Sequence, residues 1–283
     1  MTFSTGGAFI YDAHELELDV GRGPLQRVAW VHAIFRFCVR FLLRRADAVI
    51  CASEDRADVM TADYGVRARP TAIVNVTSRH GLPAGEPAPW PEGLRRPDDV
   101  VTVIYQGGLT PGRGLPEVVG ALQHLPERVV LIVVGDGADR PAIERRIRDE
   151  GLEDRVALVG KVPAAEVASW MRLGDVGVVI YQNTCRNNFH CAPNKLYDYC
   201  AVGVPVVGSN FPGVASIVEP NGVGALFDPT SPQSIAAAIQ DVVGDPSRHA
   251  RLAANAARLK ERFNWEQQED RLRDLYRAVL EAR

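Results

Sequence analysis

The chain has 283 residues, of which 46% are hydrophobic and 24% charged, enough to bury a sizeable core in one large or two smaller domains. Its formal net charge is −3, and its 32 Lys and Arg are scattered apart from one helix, so nothing favours general attraction to nucleic acid. Five cysteines (Cys38, Cys51, Cys185, Cys191 and Cys200), an odd number, and an N-terminus from Met1 to Gly7 with no positive charge argue against a disulfide scaffold or a targeting segment. They predict a cytoplasmic chain with reduced thiols.

In chain order, Phe9 to Tyr11, Ala48 to Cys51 and Thr71 to Val76 read as buried strands, with helices over Leu25 to Arg45 and Glu54 to Tyr64. Three strands and two helices are few for an independent doubly wound domain. Residues 1–78 are therefore expected to be a partial Rossmann-like domain, either a remnant of a larger one or completed by a partner chain. The helix Leu25 to Arg45 is apolar around most of its circumference and carries a basic stripe of Arg36, Arg40, Arg44 and Arg45. It is too short and too charged to span a bilayer. Two readings stand: a helix packed by protein on both sides with its arginines in solvent, or a peripheral contact with an anionic membrane surface.

Pro83 to Pro97 holds five prolines among Gly, Glu and Ala, which predicts an extended linker over residues 79–98. From Val100 onward, short Val/Ile/Leu runs alternate with amphipathic stretches, the pattern of a parallel sheet covered on both faces. The strands are expected at Val100 to Tyr105, Val129 to Gly135, Val156 to Gly160, Val176 to Tyr181, Val204 to Ser209 and Gly224 to Phe227. The intervening helices should begin near Leu115, Arg140, Ala164, Asn194 and Pro232. Ser231-Pro232 reads as an N-cap with proline at the first helical position, and Gly244-Asp245-Pro246 as the stop. Residues 99–263 thus predict a complete Rossmann-like domain. A final amphipathic helix, capped at Asn264 and running to about Ala282, is long enough to reach back to the first domain.

Ligands of such sheets bind outside the carboxyl ends of the strands, where three segments converge. Pro193-Asn194-Lys195-Leu196-Tyr197-Asp198-Tyr199 begins a helix whose free N–H groups and dipole favour an anion, and Lys195 adds a full charge there. Asp198, one turn on, is poorly placed for phosphate but suits sugar hydroxyls. Gly203 and Pro205 end the helix before the next strand. Gln106-Gly107-Gly108-Leu109-Thr110-Pro111-Gly112-Arg113-Gly114 follows a strand and opens a helix, so its backbone can wrap an anion with Arg113 as charge partner. A P-loop is rejected because Arg113 and Gly114 stand where Lys and Ser or Thr belong. Gly135-Asp136-Gly137 lacks the third glycine of a dinucleotide fingerprint and reads as a strand-to-helix turn. Cys185, His190 and Cys191 have poor spacing for zinc, so His190 is expected to hydrogen-bond a ligand sugar or to face solvent. No Asp-x-Asp occurs to bridge a diphosphate through metal.

The run Pro193 to Val206, with its Ala201-Val202-Gly203-Val204-Pro205-Val206 tail, resembles family 4 glycosyltransferases of the GT-B fold. Tyr11 to Leu16 and Ala46 to Glu54 resemble the late strands of that family's N-terminal domain, so the resemblance runs from about residue 9 to the end. It implies a nucleotide-sugar donor on the C-terminal domain, an acceptor of unstated identity on the N-terminal domain, and transfer with retention of configuration without metal or other cofactor. Carried over by position, Asp198 matches the second glutamate of the family's Glu-x7-Glu motif and implies contact with ribose, while His190 stands in place of the first. Arg113 matches the basic residue on the diphosphate, and Gly108 stands where the family usually has an arginine, whose charge Lys195 is expected to supply. Val162 matches a backbone position that reads the base, and His14 a polar residue near the reacting centre. Gly107, Asn194 and Leu196 complete the implied donor contacts. The earlier strands of the family's N-terminal domain have no counterpart here. That leaves a non-catalytic or partner-dependent nucleotide-sugar-binding subunit as the alternative, with a nucleotide-sugar epimerase a more distant one.

Overall fold

The computed structural model describes residues 7–19, 29–80, 82, 85–96 and 98–282. The expected helix start at Leu25 to Val28, residues 1–6, Pro83 and Pro97 lie outside them. The chain divides into two compact units, one formed by Met1–Asn75, Asn183–Ala192 and Trp265–Arg283, the other by Val76–Gln182 and Pro193–Asn264.

In the first unit, β1 (Ile10–Ala13), α1 (Ala29–Arg45), β2 (Ala48–Cys51), α2 (Glu54–Asp63) and β3 (Thr71–Ala72) build a three-stranded parallel sheet in the order β1-β2-β3. β3 ends sooner than expected. Beyond Ala72 the Val74 N–H bonds to the Gln268 side chain at 3.0 Å instead of a strand. α2 starts where predicted because Ser53 caps it, accepting from the Arg56 N–H.

The second unit follows in chain order: β4 (Val101–Gln106), α3 (Leu115–Ala121), β5 (Val129–Val134), α4 (Arg140–Asp149), β6 (Val156–Gly160), α5 (Val167–Met171) and β7 (Val176–Val179). A one-turn helix α6 (Arg186–Phe189) lies in the segment assigned to the first unit. Then come α7 (Asn194–Ala201), β8 (Val206–Ser209), α8 (Pro212–Asn221), β9 (Gly224–Phe227), α9 (Pro232–Val243) and α10 (Pro246–Arg262). α11 (Trp265–Glu281) closes the chain within the first unit. The strand order β6-β5-β4-β7-β8-β9, all parallel, is the doubly wound arrangement in which a switch point falls between the two strands after which the winding reverses, here β4 and β7. Its central strands are buried along their length; all six residues of β5 are.

Further differences from expectation lie in the second unit. α8 and α10 were not expected. Asp245-Pro246, read as the end of α9, also starts α10: Asp245 accepts from the Ser247 N–H and Pro246 occupies the first turn. The described part of the Pro-rich stretch is hydrogen-bonded to the second unit, with Ala88 N donating to Ser169 O at 3.0 Å and Arg95 N to Asp154 O at 2.8 Å.

Gly135, in the turn after β5, has φ of +142°, and a Cβ there would stand 1.9 Å from the Gly107 carbonyl oxygen. Because the obstacle is backbone, the two loops cannot simply part. Gly135→Ala is expected to cost about 3 kcal/mol or more in urea unfolding, and a variant as stable as the parent would refute this packing.

Candidate functional site

The carboxyl edge of the second unit's sheet is organised by tyrosines. Tyr199, on α7, is fully buried; its hydroxyl receives the Gln106 N–H at 2.7 Å and donates to the Ile104 carbonyl at 3.2 Å. Its ring lies on Gly177 of β7, where a Cβ would come within 2.5 Å. α7 is thereby pinned to the ends of β4 and β7. Its far end closes with Gly203 N bonded to Cys200 O and Val204 N to Tyr199 O, both 2.9 Å, the paired bonds of a Schellman stop.

α7 begins at Pro193 with no side chain capping its first turn, which leaves that end suited to an anion. Two cations meet at the same edge. The Lys195 ammonium stands 4.1 Å from the centre of the Tyr105 ring and 5.9 Å from that of Tyr181, and the Arg113 guanidinium stands 4.2 Å above Tyr181. Stacking on aromatic faces helps hold each cation in place. Lys195 is only 8% exposed, and Arg113 has no carboxylate partner among the described residues. Gly107, at φ +140°, makes room for Lys195, since a Cβ there would lie 2.8 Å from its Nζ. The Gly108 carbonyl accepts from the Tyr105 hydroxyl at 3.0 Å. A cleft of about 240 Å³ joins Gly107 and Gly108 to Asp136, Lys161 and Val162 beyond β5 and β6.

Asp198 lies on the same helix. Burial alone pushes its carboxyl up to about 6 from the usual 3.8. No hydrogen bond or ion pair reaches the carboxylate among the described residues. A largely buried acid without a partner opposes stability and is the expected state of a group kept for a ligand.

The structure thus brings Gly107, Gly108, Arg113, Val162, Lys195 and Asp198 to one edge of the second unit, with exposed Asn194 in the first turn of α7. Leu196 has a side chain 0% exposed, and its N–H bonds to the Pro193 carbonyl at 3.0 Å, so it anchors the helix. His14 and His190 lie in the first unit. His190 Nδ1 is 2.6 Å from an Asp55 carboxylate oxygen, and its ring meets Phe189 edge-on. His14 follows β1 with its side chain 88% exposed, 3.6 Å from Asp12. Its carbonyl is held by the buried Arg56 at 2.6 Å, and Arg56 also bonds Asn187 at 2.9 Å. A cavity of about 250 Å³ opens beside His14, lined also by Asp12, Asn75 and Trp265.

The tyrosines were missed as working parts, although a signal existed. The adjacent strands β4 and β7 both lead into Ile-Tyr-Gln, at Ile104-Tyr105-Gln106 and Ile180-Tyr181-Gln182.

Residues 88–259, more than half the chain, match the family described as glycosyl transferases group 1. The chain belongs to that family. A D-inositol 3-phosphate glycosyltransferase of Xylanimonas cellulosilytica is 27% identical over 249 residues, covering 84% of this chain and 58% of its own length. The chain spans rather more than half the length of such curated relatives. HepE of Anabaena, solved in complex with UDP, superposes with a TM-score of 0.73 at 21% identity, covering 96% of this chain and 72% of its own. Sucrose-phosphate synthase of Thermosynechococcus elongatus gives 0.74 at 24%, covering 97% and 68%. These similarities establish a GT-B glycosyltransferase fold, with one complete Rossmann-like unit and a smaller Rossmann-like one.

Proposed function

We propose that the chain is a retaining, metal-independent glycosyltransferase whose second unit binds a nucleoside-diphosphate-sugar. The observation that carries this reading is the gathering of Arg113 and Lys195 on the faces of Tyr181 and Tyr105 at the carboxyl edge of the sheet. The diphosphate lies between these cations and the uncapped start of α7, with ribose hydroxyls donating to Asp198 and the base beside the backbone at Val162. As the bond from the anomeric carbon to the diphosphate oxygen breaks, its electron pair stays on that oxygen. Arg113 and Lys195 are already oriented toward the developing charge, the arrangement that lowers a barrier most effectively. The acceptor oxygen attacks the anomeric carbon from the same face, and its proton passes to the departing diphosphate. The acceptor is assigned to the first unit, where a cavity beside His14 offers it a polar lining.

A panel of nucleotide-sugars, incubated with and without acceptor alcohols in the presence of EDTA, tests the reading. UDP-sugars come first because HepE was solved with UDP. Transfer or slow donor hydrolysis with retained anomeric configuration is expected. An inverted product or an absolute requirement for divalent metal would contradict it. A second reading, a nucleotide-sugar-binding subunit dependent on further polypeptide, is favoured by the first unit's sheet, which has three strands among the described residues against six in the second. Donor binding without turnover, gained on adding flanking or partner sequence from the same genome, would select it.

A further inference from the structure

Helix α1 of the first unit has two unlike faces. Val39 and Leu43 are buried in the unit's core. On the opposite face, at spacings of four, three and four residues, Trp30 is 68% exposed, Ile34 55%, Phe37 70% and Phe41 43%. These are four of the seven exposed large apolar side chains among the described residues. Phe37 and Phe41 stack with ring centres 6.2 Å apart, and the Arg45 guanidinium sits 4.7 Å above Phe41. Arg44 and Arg45, both exposed, border the stripe, Arg40 donates to the Asp63 carbonyl at 3.1 Å, and no Asp or Glu occurs between Ala29 and Arg45. A chain of net charge −3 therefore sets two exposed arginines beside this stripe.

We propose that this face of α1 docks on the surface of an anionic lipid bilayer. An apolar stripe bordered by arginines matches the headgroup boundary, where aromatic rings enter the acyl region and guanidinium groups meet lipid phosphates. Charge complementarity decides the occupant. A second copy would bring two acid-free, arginine-bearing helices together. Further strands would extend the sheet at its edge, whereas this stripe points away from the sheet. Among the described residues no helix is long and apolar enough to cross a membrane, so the contact is peripheral. It is independent of the donor site.

The test is co-sedimentation of the full chain with large vesicles of phosphatidylcholine alone or with 30% phosphatidylglycerol, at about 50 and 300 mM salt. Binding to the anionic vesicles that weakens with salt is expected. Arg44→Glu with Arg45→Glu should lower partitioning at least twenty-fold, taking roughly fivefold for each arginine. Trp30→Ser with Phe37→Ser should abolish it. All four side chains are exposed, so both variants should fold, which an unchanged circular dichroism spectrum and an unchanged response to nucleoside diphosphate would verify. Absence of binding to anionic vesicles at low salt would overturn the proposal, as would equal binding by the parent and the Trp30/Phe37 variant. Self-association that the same variant abolishes, without vesicle binding, would instead make the face an interface between copies.

Discussion

Lys195→Ala should reduce donor turnover by about 10²- to 10³-fold, and in a chain that binds without turnover it should abolish the response to nucleoside diphosphates. Few groups on this edge are so constrained. The ammonium is 8% exposed, lies over Tyr105 and has Gly107 beneath it. Cation–π stacking itself contributes only about 1–2 kcal/mol, so the variant should fold. The loss should fall on the diphosphate, whose charge would then face Arg113 alone. Arg113→Ala should act in the same direction, and the double variant should lose less than the sum because both cations serve one ligand. Lys195→Met, which keeps the apolar stem, should be as impaired as the alanine variant. If it retained parental kcat/KM, Lys195 would be a packing residue and the diphosphate would sit elsewhere.

Asp198→Asn should make the empty protein more stable while destroying its affinity for nucleotides. The carboxyl titrates near 6 in the folded chain against 3.8 for an exposed aspartate, so the folded state holds its proton more tightly than the unfolded state. Its stabilising contribution is complete below pH 3.8, declines as pH rises, and is gone above about 6. The rise from 3.8 to about 6 corresponds to a penalty of at most about 3 kcal/mol at pH 8. The amide avoids this penalty, so urea unfolding at pH 8 should show Asp198→Asn more stable than the parent, with the gap closing toward pH 4. Binding runs the other way, because ribose hydroxyls need the ionised carboxylate as acceptor. Nucleoside-diphosphate affinity of the parent should fall as pH drops through 6. The phosphates titrate in the same region, so pyrophosphate, which lacks ribose, supplies the control. A parallel pH dependence in Asp198→Asn would remove the carboxylate from the account.

The apolar strands and helix α7 were legible because both are local. Val129 to Val134 is a continuous Val/Leu/Ile run that only a buried parallel strand accommodates. Pro193 and Gly203 bracket α7 with residues whose backbone preferences match its two ends. What local reading missed depends on distant partners or on ambiguous punctuation. Asp245-Pro246 serves equally as a stop and as a start, and only the burial of Leu252, Ala256 and Leu259 in α10 selects the start. His190 was expected to hydrogen-bond a ligand sugar or to face solvent, and its observed partner Asp55 lies 135 residues away in sequence. Asn187 likewise receives the Leu16 N–H across 171 residues, fastening Asn183–Ala192 into the first unit. On α1 the apolar circumference and the basic stripe were visible, but which apolar residues faced outward was not.

The central claim is that the second unit holds a nucleoside diphosphate between Arg113, Lys195 and the start of α7, and melting with UDP, GDP and ADP in EDTA tests it most directly. A ligand at about 100 times its dissociation constant stabilises the native state by about 2.7 kcal/mol, worth roughly 5 °C or more for a domain of this size. A shift of that order is expected with at least one of the three, absent in Lys195→Ala and persisting without metal. An unchanged melting temperature with every nucleoside diphosphate, at concentrations up to several millimolar, would contradict it.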